Sequence, residues 1–145
     1  MAKKLIRVDS DLCTGCESCV LSCSFVKEGL YSFPLSRIHI EQNEEAAEFT
    51  PRLCQPDKCG GQPCIEVCPT DALTFNEDLL YVEWHADRCV HCHLCQEACP
   101  FDAISFKEDS GELIVCDRCS GEPECVRACE VPGALRYEEV EDDQL

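Results

Sequence analysis

The chain has 145 residues, sixteen of them cysteine, with only one Trp, three Tyr and six Phe. So few aromatic side chains cannot fill a conventional large core, and disulfides or metals must supply the missing stability. A formal charge of −17 excludes a nucleic-acid partner, because phosphate needs a basic face, and no apolar run approaches the length of a membrane span.

In chain order, Met1 to Arg7 contains neither a secretory apolar stretch nor a twin-arginine pair. The expected compartment is therefore cytoplasmic and reducing, where closely spaced cysteines serve as metal ligands more often than as disulfides. Leu5-Ile6-Arg7-Val8 reads as a short strand leading into the first cysteine group, Cys13-x2-Cys16-x2-Cys19-x3-Cys23, which is followed by Ser24. Residues 24–53 hold no cysteine. Leu35, Ile38 and Ile40 suit an extended segment, the run Glu41 to Glu48 suits solvent, and the stretch is expected as a surface loop with a strand, or else as a partner-facing insertion.

The second group is Cys54-x4-Cys59-x4-Cys64-x3-Cys68-Pro69, with Pro56, Gly60, Gly61 and Pro63 in its wider gaps to make the turns of an enlarged loop. Ala72 to Phe75 and Leu79 to Val82, around the polar turn Asn76-Glu77-Asp78, predict a hairpin. The third group is Cys89-x2-Cys92-x2-Cys95-x3-Cys99-Pro100, and a second hairpin is predicted from Ala103 to Phe106 and Leu113 to Val115, with Gly111 in its turn. The fourth group, Cys116-x2-Cys119-x5-Cys125-x3-Cys129, carries Gly121 and Pro123 in its longer gap and runs on through Pro132 to Tyr137. Residues 138–145 are expected as a frayed acidic tail.

These units repeat. Cys68 and Cys99 lie 31 residues apart, Cys99 and Cys129 lie 30 apart, and Ala72, Ala103 and Ala134 open similar segments at intervals of 31. The spacing of the third group, ending in C-P, is that by which bacterial-type ferredoxins hold a [4Fe–4S] cubane. Three thiolates two residues apart grip three corners of one cube from a tight loop, and the fourth points away, ligating the other cluster in two-cluster ferredoxins. Four groups of four leave no cysteine over. Groups two and three share the C-P ending and look like one pair; groups one and four would make the other. Each oxidised cubane with its thiolates adds roughly −2, taking the chain to about −25 with four, which favours a docking partner with a positive patch or else only keeps the protein in solution. The same cysteines could instead hold zinc in all-thiolate tetrahedral sites of a structural or interaction module.

With all four groups in this order, the chain resembles the four-cluster electron-transfer subunits of molybdenum and tungsten oxidoreductases and of related hydrogenase and carbon monoxide dehydrogenase systems, over roughly residues 5–137. Its compactness is most similar to the small iron–sulfur subunits of tungsten-dependent aldehyde oxidoreductases. The resemblance implies an α+β polyferredoxin of two pseudo-symmetric 2[4Fe–4S] modules in one domain, residues 1–137. The outer module would come from 5–30 and 113–137 and the inner from 50–112, with 24–53 as the insertion. It implies four [4Fe–4S] clusters with iron as the metal: cluster 1 on Cys13, Cys16, Cys19 and Cys129; cluster 2 on Cys23, Cys116, Cys119 and Cys125; cluster 3 on Cys54, Cys59, Cys64 and Cys99; cluster 4 on Cys68, Cys89, Cys92 and Cys95. It implies an electron carrier without its own catalytic site, relaying single electrons between a large tungsten or molybdenum catalytic subunit and a ferredoxin or other redox subunit, with self-association in a larger assembly also open. A hydrogenase or carbon monoxide dehydrogenase partner, or a free polyferredoxin, is the alternative.

His91 and His93 flank Cys92, but with four cysteines present they are expected as surface residues or donors to cluster sulfur. Trp84 is expected to cover a small core, a role compatible with shielding a cluster from water. No nucleophile–base constellation, Walker loop or dinucleotide fingerprint is present.

Overall fold

The structure, a computed structural model, describes residues 3–141; the end of the expected tail, residues 142–145, lies outside them. Among the described residues eight short strands pair as four separate antiparallel two-stranded sheets, and each of four α-helices carries the third cysteine of one group. Strand β1 (Lys4–Val8) pairs with β8 (Leu135–Glu139), Ile6 opposite Tyr137, so the two ends of the described chain close against each other. β2 (His39–Asn43) pairs with β3 (Glu48–Arg52), β4 (Leu73–Asn76) with β5 (Tyr81–Trp84), and β6 (Ser105–Phe106) with β7 (Leu113–Ile114). Glu138 and Glu139, placed with the tail by composition, belong to β8 because Leu5 and Lys4 stand opposite them.

The helices share one plan. In α1 (Ser18–Glu28), α2 (Pro63–Glu66), α3 (Leu94–Ala98) and α4 (Glu124–Ala128), the second residue is the third cysteine of its group, and all four of these cysteines, Cys19, Cys64, Cys95 and Cys125, are buried. The residue before α1, α2 and α3 is left-handed, Glu17 at φ 64°, Gln62 at 53° and His93 at 62°. That turn swings the chain from the cysteine loop into the helix. In the fourth group the left-handed residues are Arg118, Cys119 and Ser120 instead. Only α1 runs on, ending where Gly29 at φ 77° donates its N–H to the Phe25 carbonyl.

Two apolar cores form. One joins Ile6, Val20, Ile38, Leu53 and Leu135 to Cys19, Cys23, Cys116 and Cys125. The other joins Leu73, Val82, Ile104 and Leu113 to Cys64 and Cys95, with Val115 against it. Leu113 and Val115, placed by sequence on the side of the outer residues, therefore pack with the second core, because β7 needs β6 for its hydrogen bonds. Leu53 goes the other way, into the first core. Cys54 touches both.

Two further expectations shift. Leu79 and Leu80 are turn residues and not strand. Asn76 Oδ1 accepts the N–H groups of Asp78 and Leu79, the Leu80 N–H reaches the Asn76 carbonyl, and Leu80 is fully buried at φ 58°. Residues 24–53 do more than cover the surface: Pro51 and Ile38 are buried, and Phe49 of β3 lies over Gly15 in the first cysteine loop. A Cβ at Gly15, φ 73°, would stand 2.5 Å from the Phe49 ring. Gly15→Ala is expected to destabilise the protein by roughly 1–3 kcal/mol through a strained left-handed alanine plus the clash. Phe49→Ala should return the clash part, so thermal midpoints of the two single variants and the double variant separate the two causes. Among the described residues no helix is long and apolar enough to cross a membrane.

Candidate metal centres

The sixteen cysteines gather into four cavities. The first is lined by Cys13, Cys16, Cys19 and Cys129, with Ile40, Pro51 and Leu135 among its walls. Cys23, Cys116, Cys119 and Cys125 line the second. The third has Cys54, Cys59, Cys64 and Cys99, and the fourth Cys68, Cys89, Cys92 and Cys95, beside Trp84 and His93. Each takes three cysteines from one loop and its fourth from another. Each cavity is small, about 20, 10, 20 and 20 Å3 in that order. Among the described residues no group of three or more His, Cys, Asp or Glu is placed to hold a single metal ion.

The sulfurs are held from behind by the backbone. The Ala72 N–H donates to Cys68 Sγ at 3.3 Å and the Ala103 N–H to Cys99 Sγ at 3.4 Å, the same four-residue step in two repeats. The Arg37 N–H does the same for Cys23 Sγ at 3.2 Å. Burial pushes the thiols of Cys19, Cys54 and Cys64 up to about 12 and Cys125 well above its ordinary value. The Ser18 backbone N–H draws the exposed Cys16 down. Buried thiols so reluctant to ionise become thiolates only when a metal displaces their protons.

The residues fit iron–sulfur cubanes: four sulfur donors per cavity, apolar walls, and N–H groups directed at sulfur. Two buried donors support the fit. Trp84 Nε1 and Arg118 Nε have no hydrogen-bond partner among the described residues, and each belongs to a side chain lining a cysteine cavity. Inorganic sulfide and thiolate are acceptors for such groups. Trp84 also packs on the second core, as expected. His91 and His93 are exposed, and His93 stacks on Phe106 with ring centroids 4.0 Å apart.

Arg118 escapes a reading of the sequence. An arginine between two cysteines ordinarily points to water, and nothing in C-D-R-C signals that this one is wholly buried. The cations Lys27 and Arg37, on the wall of the second cavity, are equally silent in sequence because they come from the long α1 and the segment after it.

Known proteins match the chain in these terms. A 4Fe-4S binding domain family matches residues 82–105, and a second matches residues 10–26 and 117–132. The chain is 36% identical over 136 residues to subunit beta of the NADH-dependent phenylglyoxylate dehydrogenase of Aromatoleum evansii, covering 94% of this chain but 30% of that one. It is 32% identical over 128 residues to the polyferredoxin-like subunit of the aliphatic sulfonate oxidoreductase of Pyrococcus furiosus, covering 88% of this chain and 72% of the relative. A chain of the active site complex BamBC of benzoyl coenzyme A reductase, in complex with benzoyl-CoA, superposes with a TM-score of 0.55 at 25% identity over 95% of this chain and 80% of that one.

Proposed function

The chain belongs to the 4Fe-4S ferredoxin family that includes electron-transfer subunits of oxidoreductases, and on that premise we propose that it is a four-cluster relay joining a large catalytic subunit to a second redox partner. Each bound cluster supplies one-electron chemistry. The chain supplies the ligands, the order of the sites and the exclusion of water.

The single observation that carries the reading is the exchange of cysteines between loops around four four-cysteine cavities. Cys68 and Cys99 change places between the third and fourth sites, and Cys23 and Cys129 between the first and second. Each exchange binds two sites into one ferredoxin-like module with one apolar core. The modules meet at Arg118, which touches Cys116 of one and Cys54 of the other. The order along the relay is then fourth, third, second, first.

The two ends differ from the middle in exposure. Cys16 in the first site and Cys92 in the fourth are exposed. Leu12 stands exposed near the former, and Val90 and Leu94 beside the latter. An apolar collar around a sulfur lets a partner dock and expel water where the electron crosses. The surrounding acidity selects a partner with a basic rim. Tungsten or molybdenum is the proposed metal of the catalytic subunit, following the resemblance in the cysteine groups.

Anaerobic affinity purification with metal analysis tests this. About sixteen irons per chain, four for each cubane, with tungsten or molybdenum in a stoichiometric large subunit, is the expected result. Nickel would replace the partner assignment with a hydrogenase or carbon monoxide dehydrogenase. Iron without a partner would make the chain a free carrier, and zinc without iron would sink the relay altogether.

A further inference from the structure

Arg118 is wholly buried, yet among the described residues no carboxylate pairs with it. One Nη donates to Cys116 Sγ at 3.1 Å and the other to the Cys54 carbonyl at 2.8 Å, and Nε is left without a partner. A guanidinium in such a place is strongly unfavourable unless an opposite charge faces it. The other cations on the wall of the second cavity are already answered, Lys27 by Asp117 at 2.6 Å and Arg37 by Glu28 at 2.9 Å. Among the described residues no Lys or Arg lines the first, third or fourth cavity. The cation thus makes its sulfur hydrogen bond in the second site and reaches the third through the Cys54 carbonyl and, electrostatically, the Cys54 thiol.

The backbone is bent to bring it there. Arg118, Cys119 and Ser120 are successively left-handed at φ 60°, 49° and 55°, a costly run for residues with a Cβ. Asp117 holds the turn by accepting the Cys119 N–H at 2.9 Å, and Lys27 of α1 holds Asp117. Strain of this kind persists where the surrounding contacts over-determine it, and here they converge on one side chain.

We propose that Arg118 sets the order of reduction in the relay: its fixed charge makes the site of Cys23, Cys116, Cys119 and Cys125 the highest in potential, so that the first electron taken up resides there. The inference rests on the reading of four cubane sites. One-electron reduction takes the cubane core from 2+ to 1+, breaks no bond and moves no proton, so the site with its four thiolates goes from a charge of about −2 to about −3. A cation against one of its sulfurs stabilises the more negative state more than the less negative one. The N–H···S bond from Nη acts in the same direction. The third site, whose Cys54 thiol also feels the guanidinium but which takes its close hydrogen bond at the Cys54 carbonyl rather than at sulfur, is raised less. Because the guanidinium does not deprotonate, the bias holds at every working pH. An electron arriving from either module therefore settles at the junction between them.

The test is an EPR-monitored titration of the iron-replete protein with dithionite as the electron donor, on the native chain, Arg118→Met and Arg118→Lys, with Cys119→Ser marking the signal of the second site. In the native chain the signal that Cys119→Ser alters is expected first, at one spin per chain. In Arg118→Met it should lose that lead, its midpoint falling while the sites of Cys16 and Cys92 hold theirs. Arg118→Lys, which keeps the charge, should keep the order. Native potentials unchanged in an iron-replete Arg118→Met protein, or a common shift of all four, would overturn the proposal and leave Arg118 a packing residue. Should Arg118→Met fail to hold iron, native protein labelled with 15N in the arginine guanidino groups and reduced by one electron decides the matter. A 15N coupling to the unpaired spin, retained in Arg37→Lys, is expected; its absence overturns the assignment. Iron far below about sixteen per native chain would instead count against the four-cluster reading.

Discussion

Anaerobic chelation of iron is expected to erase the far-UV circular dichroism of the folded chain. The secondary structure cannot hold itself. Helices α2, α3 and α4 have four or five residues, against about 12–15 needed for even a marginal isolated helix. Every sheet has two strands, and an isolated two-stranded sheet is marginal in water. The cores offer little more, since Cys19, Cys23, Cys116 and Cys125 form a large part of the first, and Cys64 and Cys95 join the second. Without metal, these cores surround four cysteine-lined cavities and one buried arginine that no carboxylate among the described residues pairs with. Structural metal sites contribute about 10–16 kcal/mol apiece in small zinc domains, more than the whole net stability of many domains, about 5–15 kcal/mol. Loss of the helical signal and its return on adding iron and sulfide under reducing conditions is the expected pair of results. A native spectrum after complete chelation would refute metal-dependent folding.

The same balance explains why so much was legible in sequence. Where metal ligation dominates the folding energy, cysteine spacing dominates the information: the four loops, the grouping of cysteines, both hairpins and β1 can be read from residue type and interval. What escaped depends on packing between distant segments. Leu79 and Leu80 look like strand because they are apolar, but Asn76 ties their N–H groups into a turn that plugs Leu80 into the interior. Phe49 gives no sign of covering Gly15, some thirty residues away in sequence, until β2 and β3 fold back. The left-handed Glu17, Gln62 and His93 carry no glycine to announce them. Arg118 is the extreme case, since it is wholly buried with no carboxylate partner among the described residues.

Replacing Cys99 by alanine is expected to damage the third site and spare the fourth, although Cys99 lies in the same loop as Cys89, Cys92 and Cys95. Helix α3 ends at Cys99, whose N–H closes on the Cys95 carbonyl while its sulfur lines the cavity of Cys54, Cys59 and Cys64. The electrostatics agree: the nearby cysteines raising the Cys64 thiol are led by Cys99 and Cys59, whereas those raising Cys95 are Cys89 and Cys92. Cys99 is held in this direction by the Ala103 N–H, as Cys68 is held by Ala72, so the exchange is built symmetrically. EPR and Mössbauer spectra of Cys99→Ala should therefore resemble those of Cys59→Ala, with up to about four irons lost per chain, and Cys68→Ala should resemble Cys92→Ala. If Cys99→Ala instead reproduced Cys92→Ala, each loop would hold its own cluster. Each module would then lose the exchanged ligands that join its two sites, while the contact of Arg118 between the modules would stand.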